Sequence, residues 1–193
     1  MGKLTGKKIK TAVFISGRGS NLQSLIKYSK TKNSLIDIKL IISNKSNAKG
    51  LIYAKKSKIK FSVISYKNRS ISENKILDKL FKKKIILICL AGYMKILSNK
   101  FINKFKNPIL NIHPSLLPHY KGLNTHKRVL RNNENFSGAT VHVVNSKLDS
   151  GKIILQKKVK ILKSDNIYSL EKKILKIEHK LYPKAISKFL SNL

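Results

Sequence analysis

The sequence has few residues of several types, and each shortage excludes a class of protein. Its 193 residues contain one cysteine, Cys89, so an intrachain disulfide framework is excluded. No apolar run approaches the roughly 20 residues that a membrane-spanning helix needs. The lysine-rich start is followed by a strand-like segment rather than by a signal-peptide cleavage region. We therefore expect an unprocessed, cytoplasmic protein in which Cys89 is a small core residue.

Acidic residues and arginines are also scarce. Eight Asp and Glu residues stand against 42 Lys and Arg residues, which gives a formal charge of +34. Such an excess is typical of nucleic-acid-binding proteins, but only four of the basic residues are arginines, the usual readers of bases. The lysines are spread over the whole length, and Asn and Ile are abundant as well. We interpret the charge as the composition of an A- and T-rich genome and expect no specific nucleic-acid partner.

Apolar runs alternate with segments of helical pattern along most of the chain, which indicates a parallel sheet covered by helices. The predicted strands are 9–16, 36–43, 60–66, 85–92 and 108–113, followed by 138–145 and 152–161 as an antiparallel hairpin at the sheet edge. The third and fourth of these are nearly continuous apolar runs, which is typical of strands buried on both faces. The sequence predicts an α/β fold for residues 1–193, a single domain with a mostly parallel twisted sheet and helices on both faces. A last helix should begin at the capping pair Ser164 and Asp165, with Pro183 kinking it.

The segment GRGSN, residues 17–21, follows the first strand and opens the first helix. Unpaired backbone amides and the helix dipole favour an anion at such a position. The segment lacks the third glycine of the dinucleotide fingerprint and the lysine of the ATP-type phosphate loop, so a single phosphate fits better than a pyrophosphate. A purely structural glycine turn remains an alternative.

The segment NIHPSLLP, residues 111–118, carries Asn111 and His113 two positions apart at the end of a strand, where both side chains point to the same side. Ligands of open parallel sheets bind at the carboxyl ends of the strands, where residues 16–21, 92–97 and 111–118 should converge. Asp149, in the turn before the last strand, could reach the same place and favour the imidazolium form of His113. This set suits acyl transfer without a nucleophile, because Ser115 lacks the strand-to-helix elbow of hydrolases. Structural hydrogen bonding by Asn111 and His113 remains the alternative.

Seven segments in order along the chain make the resemblance specific: ISGRGSNLQSLI, ISNKSNAKGL, LAGYMKILS, LNIHPSLLPHYKGLNTH, GATVHVV, LDSGKIILQ and IEHKLYP. Together they resemble the phosphoribosylglycinamide formyltransferase family, which has a Rossmann-like fold. The resemblance implies transfer of the formyl group of 10-formyltetrahydrofolate to the amine of glycinamide ribonucleotide, in de novo purine biosynthesis. Both partners would be small molecules, and no metal would be needed.

The resemblance also implies roles for individual residues. Asn111, His113 and Asp149 match the family's catalytic trio, with Asn111 and protonated His113 stabilising the oxyanion that forms when the amine attacks. The implied substrate-binding residues are Gly19, Ser20, Asn21 and Glu178. The implied folate-binding residues are Arg69, Met94, Lys95, Ile96, Leu97, Asn111, Asn145, Ser146, Lys147, Leu148 and Asp149. The remaining histidines have no metal-ligand spacing, and we place His142 near the site and His119, His126 and His179 at the surface or in packing.

Three alternatives compete with this interpretation. Methionyl-tRNA formyltransferase has a similar catalytic core, but we expect a further C-terminal domain in that enzyme, for which the sequence has no residues. Formyltetrahydrofolate deformylase would carry an N-terminal regulatory domain before the first strand. A basic nucleic-acid-binding protein would leave the Asn, His and Asp placement unexplained, and the sequence has no evident stacking platform or recognition helix.

Overall fold

The structure is a computed structural model that describes residues 8–192. The lysine-rich start of the sequence lies mostly outside the described residues. The chain divides into two compact units at the boundary between Ile109 and Leu110. We call residues 8–109 the N-terminal unit and residues 110–192 the C-terminal unit, and each is described by itself.

Helices and strands alternate from the start of the described chain. The elements are β1 (Ile9–Ile15), α1 (Ser20–Ser29), β2 (Ile36–Ser43), α2 (Leu51–Lys56), β3 (Phe61–Val63), α3 (Arg69–Lys82), β4 (Leu87–Leu90), α4 (Asn99–Phe105), β5 (Ile109–His113), α5 (Thr125–Arg131), β6 (Phe136–Val143), β7 (Ile153–Lys160) and α6 (Ile167–Ser191). All seven predicted strands are present, which confirms the α/β fold. The short helices α4 and α5 were not predicted, because each has only seven residues and too few turns to show a helical period.

The strands form one seven-stranded sheet in the order β3-β2-β1-β4-β5-β6-β7. β1 runs parallel to β2 and to β4, and β2 runs parallel to β3. β6 runs antiparallel to β5 and to β7, so the predicted hairpin is present at one edge of the sheet. The sheet is therefore mostly parallel, with an antiparallel edge.

The core of the N-terminal unit consists of β1, β2 and β4. Their central residues are aliphatic or aromatic and lie within the sheet, so strands such as β4 are buried along their whole length. Cys89 has no solvent exposure, which confirms its prediction as a core residue. The prediction that the third strand is buried on both faces was wrong. β3 has three residues at the sheet edge, with Phe61 37% and Val63 42% exposed, because it has a neighbour on one side only.

In the C-terminal unit, α6 packs against β6 and β7. Its Tyr182 hydroxyl donates a 2.9 Å hydrogen bond to the carbonyl of Leu110, which ties the helix to β5. The helix is capped by Asn166 and not by the predicted pair Ser164 and Asp165. Asp165 instead accepts a 2.5 Å hydrogen bond from Lys173 and a 2.8 Å hydrogen bond from the Ser169 hydroxyl. The helix continues through Pro183. Among residues 8–192, no helix combines the length and apolar character that crossing a membrane requires.

Candidate active site

The glycine loop in the N-terminal unit has a backbone that only glycine can adopt without strain. Gly19 has φ +74°, and a Cβ there would lie 2.5 Å from the Cα of Gly50. The amide of Gly50 donates a 2.9 Å hydrogen bond to the carbonyl of Gly17, which fixes the loop against the start of α2. α1 begins at Ser20, so the amides of its first turn, including that of the buried Asn21, lie at a helix N-terminus. This geometry is the one that the sequence predicted for an anion site.

The segment after β4 meets the end of β1 within the same unit. The amide of Ser16 donates to the carbonyl of Gly92 at 3.1 Å, and the amide of Met94 donates to the Ser16 hydroxyl at 2.8 Å. The two predicted segments 16–21 and 92–97 therefore converge. Met94 and Ile96 are 60% and 61% exposed, whereas Leu97 is buried in the core, so its side chain is not available at the surface of this segment.

Arg69, predicted on the folate side, is half exposed and contacts the buried carboxylate of Glu73. Its Nε lies 3.4 Å from Glu73 Oε1, which also accepts from the Tyr66 hydroxyl at 2.6 Å and from the Ser98 amide at 2.8 Å. The Ser98 hydroxyl bonds the other carboxylate oxygen of Glu73. Burial raises the pKa of Glu73, but these hydrogen bonds outweigh it and the pKa is lowered overall. Glu73 thereby stays charged and anchors Ser98, which caps α4.

In the C-terminal unit, Asn111, His113 and Asp149 come together as predicted. The Asn111 amide donates to Asp149 Oδ1 at 3.4 Å, and His113 Nδ1 lies 3.4 Å from Asp149 Oδ2. Both side chains of the β5 end reach the same carboxylate because residues two apart in a strand share a side. Asp149 itself has φ +44° and lies in the turn between β6 and β7.

Both ring nitrogens of His113 face hydrogen-bond acceptors. Nε2 is 2.8 Å from the carbonyl of Tyr120, and Nδ1 faces the carboxylate of Asp149. Burial nevertheless lowers the pKa of His113, and the Tyr120 carbonyl and the Asp149 charge, which raise the pKa, offset this only in part. Asp149 favours the imidazolium form of His113, as expected, but removal of the charged ring from water outweighs this contribution, so the pKa is lowered overall.

His142 is a fourth member of the cluster. It lies opposite Asn111 in the antiparallel pairing of β5 with β6. Its Nδ1 is 3.0 Å from the backbone carbonyl of Val143, and its Nε2 is 3.2 Å from the amide nitrogen of Asn111. Nε2 also lies 3.6 Å from Asp149 Oδ1. The sequence placed His142 near the site, and the strand pairing gives the reason.

Asp149 is held in its charged form. Burial raises its pKa, but contacts with His142, with the amide of Gly122 and with His113 lower it below its ordinary value. The Gly122 amide donates to Asp149 Oδ2 at 2.9 Å. The turn itself is packed against β6, because a Cβ on Gly151 would lie 1.7 Å from the carbonyl oxygen of Val143. Sequence reasoning missed the contributions of Gly122 and of the Tyr120 carbonyl, since backbone groups of a loop leave no mark in residue types.

The remaining predicted residues are distributed as follows. Glu178 is buried on α6, at 4% exposure. The predicted folate-side residues Asn145, Ser146, Lys147 and Leu148 form the exposed turn that leads to Asp149. Leu148 lies beside Gly122, the residue that binds Asp149. Within residues 8–192, no group of three or more His, Cys, Asp or Glu side chains is arranged to hold a metal ion.

The mostly parallel sheet, with Asn, His and Asp gathered at a strand end, defines an α/β enzyme with the groups that acyl-group transfer requires. The formyl transferase family model matches residues 9–186. The phosphoribosylglycinamide formyltransferase of Haemophilus influenzae is 44% identical over 183 residues, which make up 93% of this chain and 86% of that protein. The chain therefore belongs to the formyl transferase family and, within it, to the phosphoribosylglycinamide formyltransferases.

Solved structures agree with this assignment. The phosphoribosylglycinamide formyltransferase of Brucella melitensis is similar with a TM-score of 0.90 at 40% identity, over 95% of this chain and 96% of that chain. The trifunctional purine biosynthetic protein adenosine-3 of Bos taurus is 43% identical over 183 residues, which cover 93% of this chain and 18% of that protein. This chain thus spans less than a fifth of the length of that relative.

Proposed function

We propose that the protein transfers the formyl group of 10-formyltetrahydrofolate to the amine of glycinamide ribonucleotide. The observation that carries the proposal is the shared carboxylate of Asp149, which holds Asn111 and His113 together at the end of β5. An amide donor and an imidazole side by side suit a reaction in which an amine adds to a carbonyl carbon and negative charge develops on the oxygen. The proposal treats residues 1–193 as a single formyltransferase domain in a cytoplasmic enzyme, with small molecules as partners.

Asn111 and His113 carry the chemistry in this proposal. 10-Formyltetrahydrofolate supplies the formyl group. Asn111 donates a hydrogen bond to the developing oxyanion, and His113 takes up the proton that the attacking amine loses and passes it toward the departing folate nitrogen. Both ring nitrogens of His113 are already hydrogen-bonded or paired, so contact with substrate requires one partner to be exchanged. Of these two contacts, the one between Nδ1 and the Asp149 carboxylate is the longer, at 3.4 Å, against 2.8 Å between Nε2 and the Tyr120 carbonyl.

The glycine loop takes the substrate phosphate in this proposal. The first-turn amides of α1 and the Ser20 hydroxyl are donors at a helix N-terminus, where an anion is favoured. Asn21 adds its amide, and Glu178 pairs with the amine end of the ribonucleotide. These assignments rest on the family and on the geometry of each unit separately.

Several exposed apolar side chains fit the pteridine of the folate. Met94 and Ile96, on the loop after β4, are 60% and 61% exposed, and Leu148, on the turn before β7, is 49% exposed. Lys95 on the first of these loops, and Asn145, Ser146 and Lys147 on the second, are the polar residues that the family assigns to the folate side. Arg69 belongs to this set by family position, although its guanidinium is engaged by Glu73.

The decisive experiment compares two formyl acceptors in one buffer. Purified protein is incubated with 10-formyltetrahydrofolate and either glycinamide ribonucleotide or charged initiator tRNA, and formation of tetrahydrofolate is followed. We expect rapid turnover with the ribonucleotide and none above background with the tRNA. Efficient formylation of the tRNA would assign the chain to the other substrate, and release of formate without any acceptor would indicate a deformylase.

A further inference from the structure

The N-terminal unit contains a cavity of about 450 Å³ that the proposed reaction does not use. It lies near the amino ends of β1 and β2, whereas the glycine loop follows the carboxyl end of β1. Two isoleucines and seven lysines line it: Ile38, Ile59, Lys10, Lys39, Lys58, Lys60, Lys82, Lys83 and Lys84. We call this space the lysine cavity.

The lysine cavity carries a concentrated positive charge. No acidic residue lines it. Lys39 is neutralised by Asp37 at 2.6 Å, and the other six lining lysines form no ion pair with any residue that the structure describes. Like charges gathered around one open concavity repel each other and create a positive local potential that attracts anions.

Helix ends explain part of this charge but not all of it. Lys82 lies in the last turn of α3 and Lys83 caps it, and cations at a helix C-terminus are stabilising. Lys10 and Lys39 lie on strands, and Lys60 directly precedes β3, where no helix dipole favours a cation. All of these lysines except Lys10 are exposed, but they come from separate parts of the chain to the same concavity.

We propose that the lysine cavity binds a small polyphosphate anion, either inorganic tripolyphosphate or the phosphate chain of a nucleoside triphosphate. Each phosphate offers several oxygens that accept charge-assisted hydrogen bonds from ammonium groups. Several negative charges on one ligand are needed, because salt at physiological strength screens a single exposed pair over about 8 Å. The volume of about 450 Å³ suits a small anion, and none of the lining residues is aromatic, so they offer no stacking platform for nucleic-acid bases.

The test is a calorimetric titration with sodium tripolyphosphate at about 0.15 M ionic strength, close to physiological. Three proteins are compared: the unaltered chain, a cavity variant with Lys58→Gln, Lys60→Gln and Lys84→Gln, and a control variant with Lys27→Gln, Lys30→Gln and Lys32→Gln. The control lysines are exposed, lie at and just after the C-terminal end of α1, and do not line the cavity. Both variants lose three charges. We expect the cavity variant to lose at least about tenfold in affinity for tripolyphosphate and the control variant less than about twofold. Because both variants lose the same total charge, such a difference would come from the position of the lysines.

A second titration separates the cavity from the glycine loop. In this experiment tripolyphosphate is titrated into protein that is already saturated with glycinamide ribonucleotide, and we expect its affinity to be unchanged. ATP is titrated in parallel: affinity equal to that of tripolyphosphate identifies the phosphate chain as the whole ligand, and higher affinity adds a contact with the nucleoside. The proposal is overturned if tripolyphosphate does not bind the unaltered chain, or if both variants lose the same affinity for it. It is also overturned if glycinamide ribonucleotide displaces tripolyphosphate, or if single-stranded RNA binds the cavity more tightly than either anion.

Discussion

Asp149 is the residue on which the candidate site depends, because its two carboxylate oxygens contact four neighbours. Oδ1 lies near Asn111 and His142, and Oδ2 lies near His113 and the amide of Gly122. A buried carboxylate with this many donors is costly to neutralise or remove, since each donor would lose its partner. The same contacts that lower the pKa of Asp149 therefore also orient the two side chains of β5.

We predict that His113→Ala and Asp149→Asn each lower kcat by at least about a hundredfold, the effect expected for loss of an acid-base or oxyanion group. Asn tolerates the left-handed backbone at position 149, so the turn should keep its shape. The measurement is steady-state turnover at saturating substrates, with circular dichroism to verify folding. His119→Ala is the matched control, because its side chain is exposed on the loop after β5. Near-normal turnover in either site variant would exclude that residue from catalysis.

We predict that Ser20→Ala raises the KM for glycinamide ribonucleotide several-fold and leaves the KM for 10-formyltetrahydrofolate unchanged. In the proposed function the hydroxyl binds a phosphate that does not react, so its loss should remove binding common to ground and transition states. Asn21→Ala should act in the same direction. Ser29→Ala, at the other end of α1, removes only a bond to the Ile26 carbonyl and serves as control. Equal increases in both KM values would argue against a dedicated phosphate loop.

At the scale of elements, loops with unusual backbone angles support the site. Tyr120, Gly122 and Asn124 all have positive φ values, between 56° and 77°, in the loop that supplies two backbone contacts to the cluster. The turn with Asp149 is fixed on the other side by the close packing of Gly151 on β6. The site is therefore held by loops whose shape is over-determined by their neighbours.

We predict that Gly151→Ala destabilises the protein by about 1–3 kcal/mol, the usual cost of overpacking, and lowers kcat because Asp149 moves with the turn. A Cβ at this position would overlap the Val143 carbonyl. Denaturant unfolding gives the stability, and Gly17→Ala is the stability control, since a Cβ there has no atom within 4 Å. If both substitutions lowered the free energy of unfolding by the same small amount, the packing of the turn against β6 would not contribute to stability.

We predict that Lys106→Gly stabilises the protein by about 0.5–1 kcal/mol, because Lys106 ends α4 with a left-handed backbone that glycine adopts without strain. The same substitution two residues earlier, Lys104→Gly, lies inside the helix and should destabilise by about 1 kcal/mol. Both lysines are exposed, so the pair differs in backbone conformation alone. Thermal unfolding of the two variants should give shifts of opposite sign.

At the scale of the whole molecule, the dominant feature is a charge of +34 with eight acidic residues. Self-repulsion among so many cations destabilises a compact fold, and salt reduces it. The few carboxylates are accordingly important where they occur: Glu73 anchors the start of α4, Asp149 the candidate site and Asp165 the start of α6. Acidification removes these interactions and adds further positive charge.

We predict that the free energy of unfolding falls as the pH drops below about 6.5, the ordinary value for histidine. Burial lowers the pKa of both His113 and His126 in the folded protein, so the unfolded chain binds these protons first. Their contribution is complete above the unfolded pKa and is lost as the pH falls toward the folded pKa. Denaturant unfolding between pH 7.5 and about 5 measures the slope.

A double variant, His113→Gln with His126→Gln, should flatten this slope, whereas His119→Gln, at an exposed position, should not. An unchanged slope in the double variant would place the acid sensitivity in other groups. The lowered pKa values of Glu73 and Asp149 act in the same direction but at lower pH, since carboxylates protonate below the range of histidine.

The sequence by itself determined the number of strands, their positions along the chain and the position of the glycine loop. Both depend on local rules: apolar runs make buried strands, and glycine between a strand and a helix makes a tight turn. It also determined that Asn111 and His113 share a side. It failed for the burial of the third strand and for the cap of α6, because edge position and the choice among neighbouring polar residues depend on the packed structure.

The tertiary structure alone decided which groups meet Asp149 and in which direction the pKa of His113 is shifted. The antiparallel register of β5 and β6 brings His142 opposite Asn111, and the loop after β5 supplies the Gly122 amide and the Tyr120 carbonyl. Register and loop closure depend on residues distant in the chain, and backbone groups are the same at every position. The pKa of His113 depends on burial, which exists only after the chain has folded.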